Sequence, residues 1–155
     1  MDILGDIELL LNDDFRRHNI TLDYAVPSPN YHAYCSRDGI FEALLNLVTN
    51  SMEAMDGPGK IDIEVNDIPE SESVEIKVKD NGPGIPEDRI NNIFQPFVTF
   101  REDGTGLGLA IVKQIIRRHM GEISVSSKAN QGTTFTIRFP GKKKEHSYEK
   151  YTHIH

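Results

Sequence analysis

The stretch "DGTGLGLAIVKQIIRRH", residues 103–119, decides the fold, because it joins a cluster of glycines directly to a strongly patterned helix. Gly104, Gly106 and Gly108 crowd into five positions. A glycine inside a helix costs about 1 kcal/mol relative to alanine, so three of them at a helix start need a reason. The first turn of a helix has unpaired N–H groups and a partial positive charge, and glycine lets an anion approach both. The stretch therefore predicts either a phosphate cradle or a flexible hinge before a core helix.

The size and composition of the chain are those of one globular domain. It has 155 residues, of which 37% are hydrophobic and 26% charged, and Cys35 is its only cysteine. A chain of this length can bury a full core without disulfide bonds or structural metal ions, and a lone thiol is typical of a reducing compartment. No apolar run approaches the roughly 18 residues of a membrane span, and the acidic N-terminus is unlike a signal peptide. The net charge of −7 argues against wide nucleic-acid binding but not against a small anionic ligand. We expect a cytoplasmic domain that contacts neither nucleic acid nor membrane.

Hydrophobic periodicity predicts three long helices and six strands. Helical spacing covers about residues 2–19, 37–56 and 107–120, Ser36 can cap the second helix, and "PEDRINNI" (86–93) predicts a short one. Alternating or β-rich runs predict the strands, at 20–26, 31–35, 60–66, 73–80, 122–128 and 133–140. Several strands adjoin in sequence, which favours an α+β two-layer sandwich with a mixed sheet over a doubly wound fold. We assign residues 1–141 to this domain and expect a disordered tail over 142–155.

A second glycine motif, "DNGPGIP" (80–86), follows a predicted strand directly. Asp80 at the strand end can accept from an amino group such as that of adenine. Gly82 and Gly84 would let a flat ring lie against the backbone. Asp-Asn-Gly-Pro is also ordinary turn chemistry, and the motif alone favours that simpler interpretation.

A third motif, "EALLNLVTNSMEAM" (42–55), places polar side chains on one face of a helix. Asn46, Asn50 and Glu53 are spaced i, i+4 and i+7. Two amides and a carboxylate in one stripe suit a Mg²⁺–phosphate site, since Mg²⁺ prefers oxygen ligands. The alternative is a solvated face, which the apolar residues bordering the stripe make less attractive.

Taken together and in this order, the motifs resemble the ATP-binding catalytic domain of sensor histidine kinases, in the superfamily shared with gyrase, heat-shock chaperones and MutL. "NLVTNSMEAM" resembles the N box, "DNGPGIP" and "GTGLGLAIV" the two glycine boxes, "IFQPF" the F box, and "GTTFTIRFP" the closing glycine-threonine motif. Glu53 stands where many sensor kinases have a basic residue, and in this the chain is closest to the nitrogen-regulation subgroup. The resemblance covers about residues 2–140 and implies a Bergerat-type two-layer α/β sandwich, with a mixed sheet backing three helices.

The resemblance also implies the residues of an ATP site. Asp80 would hold the adenine amino group, with Thr133 supporting it through water and Gly82, Gly84 and Ile85 alongside. Asn50 would bind Mg²⁺, with Asn46 and Glu53 on the same face. The remaining contacts would come from a lid at about 94–105 and the helix start after it. Phe94 and Phe97 would anchor the lid, Thr99 and Arg101 would contact the γ-phosphate, and Gly104, Thr105, Gly106, Leu107 and Gly108 would wrap the phosphates. Asn46, Asn50 and Arg101 would thus be catalytic.

The resemblance favours phosphoryl transfer over hydrolysis. Hydrolytic members of the superfamily have a Glu four residues before the Mg²⁺-binding Asn, where it acts as general base. Asn46 occupies that position here and cannot take up a proton. Sensor kinases phosphorylate a His that precedes an acidic residue, and none of the six histidines does so. We therefore expect the acceptor histidine on a separate dimerisation domain of the same parent kinase, with a response regulator downstream. An anti-sigma-type serine kinase and a nucleotide-gated interaction module stay open as alternatives.

Overall fold

The computed structural model describes residues 2–26, 30–99 and 101–143. Three long helices and one short helix are present in these ranges, namely α1 (Ile3–His18), α2 (Arg37–Met55), α3 (Glu87–Ile90) and α4 (Gly108–Arg118). The strands are β1 (Ile20–Ala25), β2 (Tyr31–Ala33), β3 (Gly59–Ile68), β4 (Ser73–Asp80), β5 (Glu122–Ser127) and β6 (Thr133–Lys143). Each predicted helix and strand is present, with shifts of a few residues at the ends.

The strands form one mixed sheet. β1 pairs with β3 in parallel, and all other pairings are antiparallel: β3 with β4, β4 with β6, and both β5 and β2 with β6. β6 is central, because its first part lies between β4 and β5 while its last three residues pair with β2. The register sets Asp80, the last residue of β4, opposite Thr133, the first residue of β6.

The hydrophobic core lies between the sheet and the three long helices. On β4 and β6 the residues that alternate toward this core are apolar and buried: Val74, Ile76, Val78, Phe135, Ile137 and Phe139. Ile7 of α1, Leu47 of α2 and Ile116 of α4 pack against them and are almost fully inaccessible. This arrangement is the predicted α+β two-layer sandwich, with a mixed sheet backing three helices.

The opposite face of the sheet is polar. Glu75 on β4 lies there between Arg138 on β6 and Lys77 on its own strand, with Oε2 2.7 Å from Arg138 Nε and Oε1 3.0 Å from Lys77 Nζ. Burial of the Glu75 carboxyl acts to raise its pKa, but the two ion pairs outweigh that effect, and the pKa lies below its ordinary value.

The helix ends follow the sequence signals. Ser36 Oγ accepts from the Gly39 amide at 3.1 Å and caps α2 as predicted. At the end of α4, His119 Nδ1 lies 2.8 Å from the Ile115 carbonyl oxygen, so the imidazole has a structural partner. None of the helices in the described ranges combines the length and apolar character that a membrane crossing requires.

Of the predicted tail, residues 142 and 143 belong to β6, and the rest lies outside the described residues, together with His146, His153 and His155.

Candidate nucleotide-binding site

The carboxylate of Asp80 is held by three hydrogen bonds. Its side chain is buried at the end of β4, with the residue 4% exposed. Oδ1 accepts from the backbone amides of Gly82 at 2.9 Å and Thr133 at 3.2 Å, while Oδ2 accepts from Ser51 Oγ at 2.9 Å. Groups from α2, the glycine loop and β6 therefore fix the orientation of one acceptor.

Two serines to which the sequence motifs assigned no role complete this network. Ser51 supplies the hydroxyl that bonds Asp80. Ser127 Oγ accepts from the Ile85 amide at 2.8 Å and lies 2.9 Å from Thr133 Oγ1, so it ties the glycine loop to β5 and β6. Ser51 follows Leu47 by one helical turn on the buried side of α2, and a polar residue in that stripe was the available signal.

The glycines of the first loop bring backbones close together. Gly84 has φ +74°, and a Cβ there would lie 2.0 Å from the Lys128 carbonyl oxygen. A Cβ on Gly82 would lie 3.0 Å from both Asp80 Oδ1 and Met55 Cγ. Gly84 is thus required by the contact with the β5–β6 turn, whereas the sequence motif predicted that it would accommodate a flat ring.

The polar stripe of α2 faces the start of α4 and the lid. Asn46 Nδ2 donates to the Glu42 carbonyl oxygen at 2.9 Å, and its Oδ1 would lie 3.3 Å from a Cβ on Gly108. The half-buried amide of Asn50 makes no side-chain hydrogen bond within the described residues. Its oxygen is therefore available to a ligand.

A magnesium ion at this stripe would take most of its ligands from phosphate and water. Among the residues that the structure describes, no group of three or more His, Cys, Asp or Glu side chains could hold a metal ion. Mg²⁺ commonly takes few protein ligands and shares the rest of its shell between phosphate oxygens and water. The free amide oxygen of Asn50 suits that mode.

The glycine cluster at residues 104–108 divides into two parts. A Cβ on Gly104 would lie 2.2 Å from Thr99 Oγ1, and one on Gly106, at φ +69°, would lie 2.6 Å from the Phe97 carbonyl carbon. These two glycines are explained by packing within the lid. Gly108 is the first residue of α4, and among the described residues outside its own helix turn a Cβ there would meet only Asn46 Oδ1. The open part of the expected phosphate cradle is therefore at Gly108.

The two phenylalanines at the base of the lid differ in environment. Phe94 is half-buried, and its ring meets the Phe135 ring edge-on, with the centroids 6.2 Å apart. The side chain of Phe97 does not pack on the core, since the residue is 77% exposed, and its connection is through the backbone amide, which donates to the Gly106 carbonyl at 2.9 Å. Phe94 thus occupies the position expected of an anchor, whereas Phe97 holds the lid by its main chain.

The remaining lid residues form a small hydrogen-bonded turn. Thr99 Oγ1 accepts from the Arg101 amide at 3.1 Å, and the Arg101 carbonyl accepts from the Gly104 amide at 3.2 Å. Thr105 Oγ1 accepts from the Leu107 amide at 3.3 Å, immediately before α4. Arg101 reaches α2, where its Nη1 lies 3.2 Å from Glu53 Oε2. The lid and the polar stripe of α2 are therefore in direct contact.

The sequence matches one known protein family over most of its length. Residues 35–143 match the family described as histidine kinase-, DNA gyrase B-, and HSP90-like ATPase. The chain belongs to this family, and the expected class and fold are confirmed.

Curated relatives include a sporulation kinase and a sensor histidine kinase. The chain is 34% identical over 140 residues to sporulation kinase A of Bacillus subtilis (strain 168), covering 90% of this chain and 23% of that protein. It is 35% identical over 139 residues to sensor histidine kinase ZraS of Salmonella typhimurium (strain LT2), covering 90% of this chain and 30% of that protein. The chain thus spans less than a third of the length of these relatives.

Solved structures agree. The catalytic domain of histidine kinase ThkA superposes with a TM-score of 0.77 at 32% identity, covering 89% of this chain and 90% of that one. Full-length ShkA in complex with AMPPNP gives 0.79 at 27% identity, covering 92% of this chain and 30% of that one. ThkA in complex with the response regulator TrrA gives 0.72 at 29% identity, covering 89% and 39%.

Proposed function

We propose that this chain binds Mg-ATP and transfers the γ-phosphoryl group to a histidine on a separate phosphoacceptor domain. The position of Asn46 carries the proposal. Its amide is bonded to the helix backbone and faces the start of α4, at the place where a hydrolytic enzyme of this superfamily has a general base. An amide cannot accept the proton of an attacking water, so the site favours transfer to a nucleophile that a partner supplies.

The adenine ring would be selected by Asp80. Two amide donors occupy Oδ1 and one hydroxyl occupies Oδ2, which leaves Oδ2 with a further acceptor position. An exocyclic amino group can donate there, whereas guanine offers a carbonyl oxygen at the same place. Thr133 and Ile85 support this subsite through the Ser127 network.

The phosphates would lie between α2 and the start of α4. Gly108 permits close approach to the amides of the first turn, where the helix dipole favours an anion, and Thr105 and Leu107 precede it. Mg²⁺ held by Asn50 would neutralise charge on the phosphate oxygens. Thr99 and Arg101 on the lid would contact the γ-phosphate, and the guanidinium suits such a contact because it offers several N–H donors.

Catalysis of the transfer would then consist mainly of positioning and charge stabilisation. The acceptor imidazole nitrogen forms a bond to the γ-phosphorus as the bond to the β–γ bridging oxygen breaks, and ADP leaves. None of the chain's histidines is followed by an acidic residue, which supports an acceptor histidine on another domain. We place the domain in the cytoplasm because its single cysteine is typical of a reducing compartment. A response regulator would take the phosphoryl group next, and the complex of ThkA with TrrA supports a response regulator as a partner.

The test is phosphorylation in trans. The purified chain is incubated with γ-labelled ATP, Mg²⁺ and a separately expressed dimerisation domain of its parent kinase. We expect an acid-labile label on the acceptor domain and none on this chain alone, and loss of the label with Asn50→Ala. Acid-stable phosphoserine would instead identify a serine kinase. Free phosphate release without any labelled protein would show that the site hydrolyses ATP.

A further inference from the structure

The ion pair between Glu53 and Arg101 is the one described side-chain contact between the α2 stripe and the lid arginine. It joins Arg101 Nη1 to Glu53 Oε2 at 3.2 Å, with the side chains 49% and 58% exposed. Glu53 lies one helical turn beyond Asn50 on the same face. The pair therefore joins the lid to the helix face on which Asn50, the proposed Mg²⁺ ligand, lies.

The backbone of Arg101 is held in place independently of this pair. Thr99 Oγ1 bonds its amide at 3.1 Å and its carbonyl oxygen at 3.2 Å, and the Gly104 amide also donates to that carbonyl. Because these bonds hold the turn together, the side chain of Arg101 can exchange one anionic partner for another while the turn keeps its local shape.

A direct contact with phosphate does not explain why the side chain at position 53 is negatively charged. A carboxylate one turn from the proposed Mg²⁺ position has the same sign as the triphosphate and would repel it. Its described partner is a cation from the lid. A carboxylate that neutralises this cation only while the phosphate is absent accounts for both observations.

We propose that Glu53 is a positioning residue that holds the Arg101 guanidinium in the nucleotide-free protein and releases it to the terminal phosphate. The inference rests on the proposed ATP site and on the role of Arg101 in it. It makes Glu53 a determinant of how strongly the protein prefers a triphosphate to a monophosphate, because only the longer nucleotide competes for Arg101.

A double-mutant cycle tests this. Binding of AMP-PNP and of AMP, each with Mg²⁺, is measured by calorimetry at low and high salt for wild type, Glu53→Gln, Arg101→Gln and the double variant. An exposed ion pair contributes about 1.4- to 5-fold to an equilibrium constant, so Glu53→Gln should tighten AMP-PNP by about that factor and leave AMP unchanged. The gain should be smaller when Arg101 is already Gln, because only the loss of repulsion by the Glu53 carboxylate remains, and it should shrink at high salt. Glu42→Gln, an exposed charge loss three turns earlier on α2, is the matched control and should change neither ligand.

Three results would overturn the inference. An equal gain in both Arg101 backgrounds would mean that Glu53 acts only by repelling the phosphates. Weaker or unchanged AMP-PNP binding in Glu53→Gln would mean that Glu53 does not compete with the nucleotide. If Arg101→Gln leaves the ratio of AMP-PNP to AMP affinity at the wild-type value, Arg101 does not contact the terminal phosphate. Glu53 could then not act through it. AMP-PNP and AMP binding in wild type report separately on the ATP site itself.

Discussion

The atoms that surround Asp80 and each glycine determine whether that position can contact a ligand. The Asp80 carboxylate receives three protein donors and keeps one acceptor position, and Gly108 is open where Gly104 and Gly106 are not. The sequence predicted that these positions matter, because glycine and a strand-end Asp stand out in it. It could not separate a glycine that admits a ligand from one that admits a neighbouring backbone, because that depends on chain contacts outside the motif.

The substitution Asp80→Asn should reduce ATP affinity while leaving the protein folded. The Asn oxygen can still accept from the amides of Gly82 and Thr133, and its NH₂ group can donate to Ser51 Oγ. That NH₂ group would face the adenine amino group, donor against donor, which costs about 1–3 kcal/mol. Calorimetry should show at least several-fold weaker ATP binding.

The matched ligand is purine riboside triphosphate, which lacks the amino group. Its affinity should be nearly the same for wild type and Asp80→Asn. Equal losses for both ligands would remove the adenine contact from Asp80.

The substitutions Gly106→Ala and Gly108→Ala should separate packing from ligand binding. At Gly106 the methyl group meets the Phe97 backbone at a positive φ, so thermal stability or lid protection should fall. At Gly108 the methyl group meets only Asn46 Oδ1 at 3.3 Å, so stability should change by less than about 1 kcal/mol while nucleotide affinity falls. Thermal melts and nucleotide titrations of both variants measure this, and unchanged nucleotide affinity in Gly108→Ala would place the cradle elsewhere.

The helices and strands were readily predicted from the sequence, but the pairing of the strands was not. The alternating β4 and β6 sequences identify their own buried faces, because side chains in a strand point to opposite sides in turn. The parallel pairing of β1 with β3 and the pairing of β2 with the end of β6 connect distant segments, and no local pattern encodes them. The Glu53–Arg101 pair was hidden for the same reason, since each residue belongs to a different motif.

The lid should become more ordered when nucleotide binds. Its described hydrogen bonds are few and exposed, and such segments open at low free-energy cost. Phosphates that engage Arg101 and the start of α4 would hold the lid at its middle and next to its C-terminal end. Amide hydrogen exchange across residues 95–104 should slow on addition of AMP-PNP and Mg²⁺, with β3 as an internal reference that should not change. Full protection before ligand is added would contradict a mobile lid.

The domain has one hydrophobic core on one face of the sheet and a charged network on the other face. The helices cover one face of the sheet, while on the other face Glu75 forms ion pairs with Arg138 and Lys77. This division is what the alternating pattern predicts for a two-layer sandwich. The depth at which Glu75 is held was not predictable, because its burial is produced by neighbouring strands.

Glu75 should make stability depend on acidic pH. Its pKa is lower in the folded than in the unfolded protein, so the stabilisation is present above the unfolded value of about 4.3 and is lost as pH falls through the folded pKa. Denaturant unfolding between pH 2.5 and 6, as an order-of-magnitude window around that value, should show a steeper loss for wild type than for Glu75→Gln. Parallel curves for the two proteins would exclude Glu75 as a source of the acid sensitivity.

Strand β6 has a practical consequence for anyone who builds a biosensor from this domain. It begins at Thr133 beside Asp80 and continues to Lys143, ten residues further on. At about 3.3 Å per residue, its two ends are about 33 Å apart. A dye, fluorescent protein or surface tether attached after Lys143 therefore starts far from the pocket. Immobilisation at that end should leave nucleotide access unobstructed.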